Sequence, residues 1–155
     1  MKIKQQGFSL IELLVVLAIM SVIAGVAYPS YVEHVRKSKR ADAKVALQKA
    51  AQQMETHYMR NNYRYSAKAL NSSLDASALT TTISSPEGQY DISLDIPAGT
   101  TPPNSTYTLS AVAKTTSTQA KDLDCYKFVL DNTGQKTAMK KTSDSAVPAA
   151  TTGCW

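Results

Sequence analysis

The chain has 155 residues and a formal charge of +5, from 17 Lys and Arg against 12 Asp and Glu, with only two His and two Cys. That length suits one domain, and so few His and Cys disfavour a zinc centre or a nucleophile-base arrangement, so no cofactor or catalytic residue is expected. The 43% apolar content is uneven: 17 of the 21 residues from Phe8 to Tyr28 are apolar, against about 37% of the remainder. One segment is therefore intolerant of water and the rest is polar with a small core, which disfavours a plain soluble globule, a multi-domain enzyme, a multi-span membrane protein and a disordered chain.

The segment Phe8 to Tyr28 reads FSLIELLVVLAIMSVIAGVAY. At a helical rise of 1.5 Å it spans roughly 31 Å, close to the hydrocarbon thickness of a bilayer. A secretory signal peptide is the first alternative, with Lys2 and Lys4 as its positive flank. The apolar run is too long for that, and Tyr28-Pro29 stands where a small-residue cleavage site belongs. Glu12 inside the run needs a partner or an interfacial position, because a charged residue at mid-bilayer costs on the order of 2.5–3.5 kcal/mol. No Lys, Arg or His lies between residues 5 and 33. A cut between Gly7 and Phe8 supplies an ammonium group four residues before Glu12, one turn away, or one that meets the Glu12 of a neighbouring chain. The bland alternative is a protonated or interfacial Glu without a role.

The residues Gly7-Phe8-Ser9-Leu10-Ile11-Glu12, a short basic leader before them and an apolar run after them resemble the start of the type IV prepilin family. The resemblance implies that a prepilin peptidase cuts after Gly7, that Phe8 becomes the N-methylated first residue, and that Glu12 guides subunit registration in a filament. Removing Lys2 and Lys4 with the leader lowers the side-chain charge from +5 to +3. Loop charges leave the orientation ambiguous: Lys2 and Lys4 favour a cytoplasmic N-terminus, while Arg36, Lys37, Lys39 and Arg40 argue the opposite. The two Cys and the resemblance favour an exported C-terminal domain.

Pro29 cannot donate an N–H, so a helix kink is expected at Tyr28-Pro29, with Gly25 a second weak point. In pili of this family the helix unwinds near this Pro, which implies extension between Gly25 and Pro29. Apolar periodicity resumes at Val32, Val35, Ala43, Ala46, Leu47, Ala50, Met54 and Tyr58, predicting a helix to about Tyr58 whose second half packs on a head. From Asn61 the pattern changes. Ser66 to Ser85 holds nine Ser or Thr in 20 residues without a period, and is read as a loop with a helical turn around Ala67–Leu70. Three alternating runs follow, at Tyr90–Ile96, Tyr107–Ala113 and Tyr126–Asp131; the turn Asp131-Asn132-Thr133-Gly134 leads to a fourth at Gln135–Met139. The expectation is an α+β fold, a long N-terminal helix packed on an antiparallel β-meander of about four strands.

Cys125 and Cys154 are read as a disulfide, because an exported chain meets an oxidising compartment; two free buried thiols are the alternative. The placement resembles the C-terminal disulfide-bounded region of pilins, and the ending Gly153-Cys154-Trp155 resembles minor pilins of the PilE type. The resemblance covers most of the chain, strongest through residue 65 and weakest from 66 to 105.

Between Glu33 and Arg64 there are eight Lys or Arg against three acids, with Arg36, Arg40 and Lys44 one turn apart. Such a stripe could meet phosphate backbone or lipid headgroups, but a solvated face with acidic neighbours, and Glu33-Lys37 as an i,i+4 pair, is favoured. On the head, Lys140 and Lys141 near Tyr126 could touch nucleic acid, against a favoured reading of ordinary surface charge. His34 and His57 are 23 residues apart with no ligand spacing around them. Asn71-Ser72-Ser73 and Asn104-Ser105-Thr106 match a glycosylation sequon by chance, and Asp122, Asp124 and Asp131 lack the spacing of a Ca²⁺ loop.

The organisation expected is a leader at 1–7, a transmembrane and filament-core helix at 8–28, its amphipathic continuation at 29–60, a loop region at 61–88 and a sheet head at 89–155. The function implied is a minor pilin of a type IV pilus, serving assembly, adhesion or twitching motility and not catalysis. Its expected partners are other pilin subunits, the prepilin peptidase and the inner membrane before assembly, with the head periplasmic and later extracellular. Two competitors are a DNA-binding pilin for natural competence and a type II secretion pseudopilin, the latter disfavoured by Cys125 and Cys154. Nucleic acid as a partner is not favoured.

Overall fold

A computed structural model of the chain describes residues 8–74, 77–99, 101–102, 104–141, 146–149 and 153–155. These fall into two compact units that divide between Val35 and Arg36. One helix, α1 at Leu10–Arg60, contributes to both and is helical through Gly25 and Pro29. The sequence places its end at about Tyr58; it runs two residues further, and the chain then turns out through Asn62 and Tyr63, both at positive φ. The Tyr63 N–H closes back onto the Tyr58 carbonyl at 3.1 Å, satisfying a terminal acceptor of the helix.

In the second unit α1 lays Ala43, Ala46, Leu47, Ala50 and Met54 against an antiparallel sheet. The strands are β1 (Thr80–Ser84), β2 (Tyr90–Asp95), β3 (Thr108–Ala113), β4 (Lys127–Asp131), β5 (Lys136–Lys141) and β6 (Ala146–Ala149), each paired with the next in chain order. In β2, Tyr90, Ile92 and Leu94 are buried while Asp91, Ser93 and Asp95 are not, and β3 repeats this with Leu109, Ala111 and Ala113 inward. The register Ile92↔Ala111 and Ala111↔Phe128 carries one buried row across three strands. Alternation of period two thus puts every second side chain on the helix.

Among the described residues the sheet has six strands, where about four were expected. The loop region 61–88 does contain a 3₁₀ turn at Ala67–Ala69, capped by the Ser66 hydroxyl, which accepts from the Lys68 N–H at 3.2 Å. It also contains β1. That strand, TTTIS, has a single large apolar residue, so the period-two signal is absent; β-branched Thr still suits an extended edge paired to β2. The other missed strand, β6, reads AVPA, and its Pro148 is tolerated because the strand lies at the sheet edge.

Candidate functional site

In the first unit, the Leu13 N–H donates to the Ser9 carbonyl at 3.2 Å, which places Ser9 at the N-cap of α1 and Glu12 three residues inside it. This is the S-x-x-E spacing of a capping box, and a carboxylate in the first turn also faces the positive end of the helix dipole. Glu12 therefore has a favourable local setting without any partner chain. Gly7 lies outside the described residues; Phe8 is 87% exposed. From Leu10 to Val26 the large apolar side chains are exposed, a continuous surface that an isolated chain in water does not sustain. The Ser21 hydroxyl donates to the Ala18 carbonyl at 2.8 Å, so this polar group is satisfied within the helix. The i→i−4 bond that Pro29 cannot make is the one ending on Gly25. A Cβ at Gly25 meets nothing within 4 Å, so packing inside the chain does not require a glycine there.

In the second unit Cys125 and Cys154 are joined as a disulfide, with Cα atoms 5.6 Å apart and both residues buried. Further contacts hold this end of the chain. The Arg40 guanidinium forks onto Asp122, with Nε to Oδ2 at 2.7 Å and Nη2 to Oδ1 at 3.0 Å, while Nη1 donates to the Gly153 carbonyl at 3.1 Å. The Cys125 N–H donates to the same Asp122 Oδ1 at 3.2 Å. The Trp155 indole N–H donates to the Thr137 carbonyl at 2.8 Å, and its ring stands edge-on to Phe128 at 5.6 Å. Helix, disulfide and C-terminal residues thus form one connected unit.

The basic residues are held in different ways. Lys140 Nζ lies 3.0 Å from Asp124, an exposed pair, and Lys141 Nζ sits 4.7 Å over the Tyr126 ring. Lys136 Nζ is 5.3 Å over the Trp155 ring. Burial, with the positive charges of Arg40 and Lys136, lowers the Lys44 pKa below that of an ordinary lysine. The helix stripe read from the sequence is not uniformly free: Arg40 belongs to a buried ion pair.

Three polar centres were not read from the sequence. Buried Asp42 accepts from the Ser85 hydroxyl at 2.6 Å, the Glu87 N–H at 3.1 Å and the Gln89 N–H at 3.4 Å, fixing the β1–β2 turn to the helix. Its position four residues before Ala46 and eight before Ala50, in line with the apolar face, was the available signal. Glu55 accepts from the hydroxyls of Tyr65 at 3.0 Å and Tyr107 at 3.2 Å; Tyr65 also stacks on Tyr58 at 4.4 Å. Burial, with Glu55 beside them, raises the pKa of both Tyr65 and Tyr107. Gln119, fully buried, donates to the Tyr90 hydroxyl at 2.8 Å and to the Arg36 carbonyl at 3.2 Å. Burial pushes Tyr90 up to about 12. Neither Glu55 nor Gln119 has a sequence signal, because their partners lie tens of residues away or on loops. Among the described residues no three His, Cys, Asp or Glu side chains gather as metal ligands.

Comparison with known proteins joins the two units to one class. Residues 2–28 match the prokaryotic N-terminal methylation motif. Residues 29–129 match the family described as type IV minor pilin ComP, DNA uptake sequence receptor, a match that ends before Lys140, Lys141 and Cys154. The type IV major pilin protein PilA of Myxococcus xanthus (strain DK1622) is 35% identical over 63 residues, 41% of this chain and 28% of that protein. The chain thus spans less than a third of that curated relative's length. With an N-terminal methylation motif ahead of a family match over well more than half its length, on a long helix and a meander sheet, the chain belongs to the ComP family of type IV minor pilins.

Proposed function

We propose that this chain is a minor subunit of a type IV pilus, assembled with other pilin subunits through the N-terminal half of α1. The observation that carries this reading is a helix divided by use: no residue from Leu10 to Val35 is buried, whereas the stretch from Asp42 to Met54 forms part of the head's core. An apolar helix of this length suits a bilayer before assembly and a bundle of like helices after it. On this reading a prepilin peptidase cuts between Gly7 and Phe8, Phe8 is N-methylated, and the chain waits in the inner membrane with its head periplasmic. The Phe8 ammonium then meets Glu12 of a neighbouring subunit, and Gly25 to Pro29 is where the helix extends under load. The test is incorporation: Glu12→Ala inserts into the membrane but is depleted from sheared pili, and normal incorporation overturns the registry role. Mass spectrometry of filaments should find a chain that starts at methylated Phe8; an intact leader counts against the processing.

A second reading, that the head also binds DNA, is supported by the match to a family of DNA uptake sequence receptors and by Lys141 poised over Tyr126. Purified protein should then bind duplex DNA with an affinity that falls as salt rises, through counterion release. Lys140→Glu with Lys141→Glu should weaken that binding and flatten its salt dependence; unchanged binding removes these two lysines from the interface.

A further inference from the structure

A groove of about 390 Å³ runs between the last turns of α1 and the 3₁₀ turn that follows it. Its walls carry Lys49, Arg60 and Lys68, with Gln53, Thr56 and His57 between them, and no carboxylate is among the lining residues. Acid is scarce here for a structural reason: the only Asp or Glu between Ala43 and Ala69 is Glu55, and the hydroxyls of Tyr65 and Tyr107 engage it. Lys49, Gln53, Thr56 and Arg60 recur at steps of three or four, so they lie along one flank of the helix, beside the face that packs on the sheet. The His57 Nδ1 is buried and has no hydrogen-bond partner among the described residues. A buried polar atom without a partner is costly, and because this one is sealed from solvent its cost lies in the groove wall and is not met by an occupant.

The groove does not stop at the cations. Lys49 and Gln53 also line a second cavity of about 300 Å³, whose other walls include Ala50, Leu70, Ile83 and Ile92. A basic compartment thus adjoins an apolar one across two shared side chains, each at the small end of the range for ligand sites. We propose that this paired groove binds a small organic phosphomonoester, its phosphate between Lys49, Arg60 and Lys68 and its apolar part against Ala50, Leu70 and Ile83. A dianion matches three cations beside which no carboxylate lines the groove among the described residues, and Arg is suited to two oxygens of one phosphate. The ligand proposed is a soluble molecule whose apolar part fits within a compartment of about 300 Å³, and a membrane headgroup is an outcome that the test separates from it. The site is separate from Lys140 and Lys141, and does not depend on whether the head binds DNA.

The test uses the full chain in non-ionic detergent, titrated by calorimetry with inorganic phosphate and with phenyl phosphate. Both should bind saturably, phenyl phosphate at least tenfold more tightly. Lys49→Glu with Lys68→Glu should weaken phenyl phosphate at least tenfold while the thermal midpoint stays within a few degrees. Lys140→Glu with Lys141→Glu should leave it unchanged, whatever that pair does to DNA binding. Ile83→Ser should remove the preference for phenyl phosphate over inorganic phosphate, leaving the latter's affinity in place. No saturable binding, or binding insensitive to Lys49 and Lys68, overturns the proposal. So does a response confined to mixed micelles of phosphatidylglycerol, against phosphatidylcholine, which would make the groove a lipid contact.

Discussion

Removing the disulfide by Cys125→Ala with Cys154→Ala is expected to lower the stability of the head substantially without undocking its C-terminal residues at room temperature. The bridged residues are 29 apart in sequence. Freeing a loop of that size in the unfolded chain is worth about 3.6 kcal/mol on the chain-entropy account. For a unit the size of residues 36–155, the unfolding entropy is roughly 0.25 kcal/mol/K, so the midpoint should fall by about 14 °C. The native state itself keeps the Arg40 bond to Gly153, the Trp155 N–H bond to Thr137 and the Phe128–Trp155 contact, none of which needs the S–S bond. Trp155 is the sole tryptophan of the chain, so its fluorescence reports on this segment directly. The assay is a thermal melt of the full chain in detergent, followed by Trp155 emission, beside the oxidised parent. A midpoint shift below about 3 °C refutes the entropic argument. A red-shifted emission already present at 25 °C refutes the claim that non-covalent contacts hold the segment.

Arg40→Met should cost about 3–5 kcal/mol, because it leaves Asp122 buried without its cation, whereas Arg40→Met with Asp122→Leu should recover part of that loss; denaturant melts of the two variants check it. Asp42→Ala strands the Ser85 hydroxyl and the Glu87 N–H, and should lower stability by about 1–3 kcal/mol, with faster amide exchange in the β1–β2 turn. Of the eight tyrosines, Tyr65, Tyr90 and Tyr107 should ionise late in an alkaline titration followed by absorbance, Tyr90 at about pH 12. Their folded pKa values lie above the unfolded value near 10, so their contribution is intact below pH 10 and is lost as pH rises beyond it. Alkaline unfolding should therefore set in above pH 10, and Tyr65→Phe should remove one late-titrating group. At the other end, hydrogen bonds from Thr133 and Gln135 lower the Asp131 pKa below its ordinary value, so the β4–β5 turn should loosen only as pH falls below that range.

The sequence by itself determined the long helix, its division into an apolar half and an amphipathic half, and the alternating strands β2 to β4, with β5 marked by the turn that precedes it. Each is a local pattern of period 3.6 or 2, long enough to stand out from noise. The resemblance of the stretch from Gly7 to Glu12 to a methylation motif was legible too, because that motif is contiguous. The sequence did not carry β1 and β6: the first is a run of threonines whose pairing to β2 decides its conformation, the second a four-residue edge with a proline. Nor could it place Arg40 on Asp122, Asp42 on the β1–β2 turn, or Glu55 between Tyr65 and Tyr107. Those pairs join side chains up to 82 residues apart, and a single sequence records each partner's chemistry but not which distant group it meets. The same holds for the paired groove: Lys49 and Lys68 read as unrelated surface charges until the turn after α1 brings them to one cavity. Tertiary structure alone decides which charges are spent inside the head, as Arg40 is on Asp122, and which line a groove at its surface, as Lys49 and Lys68 do.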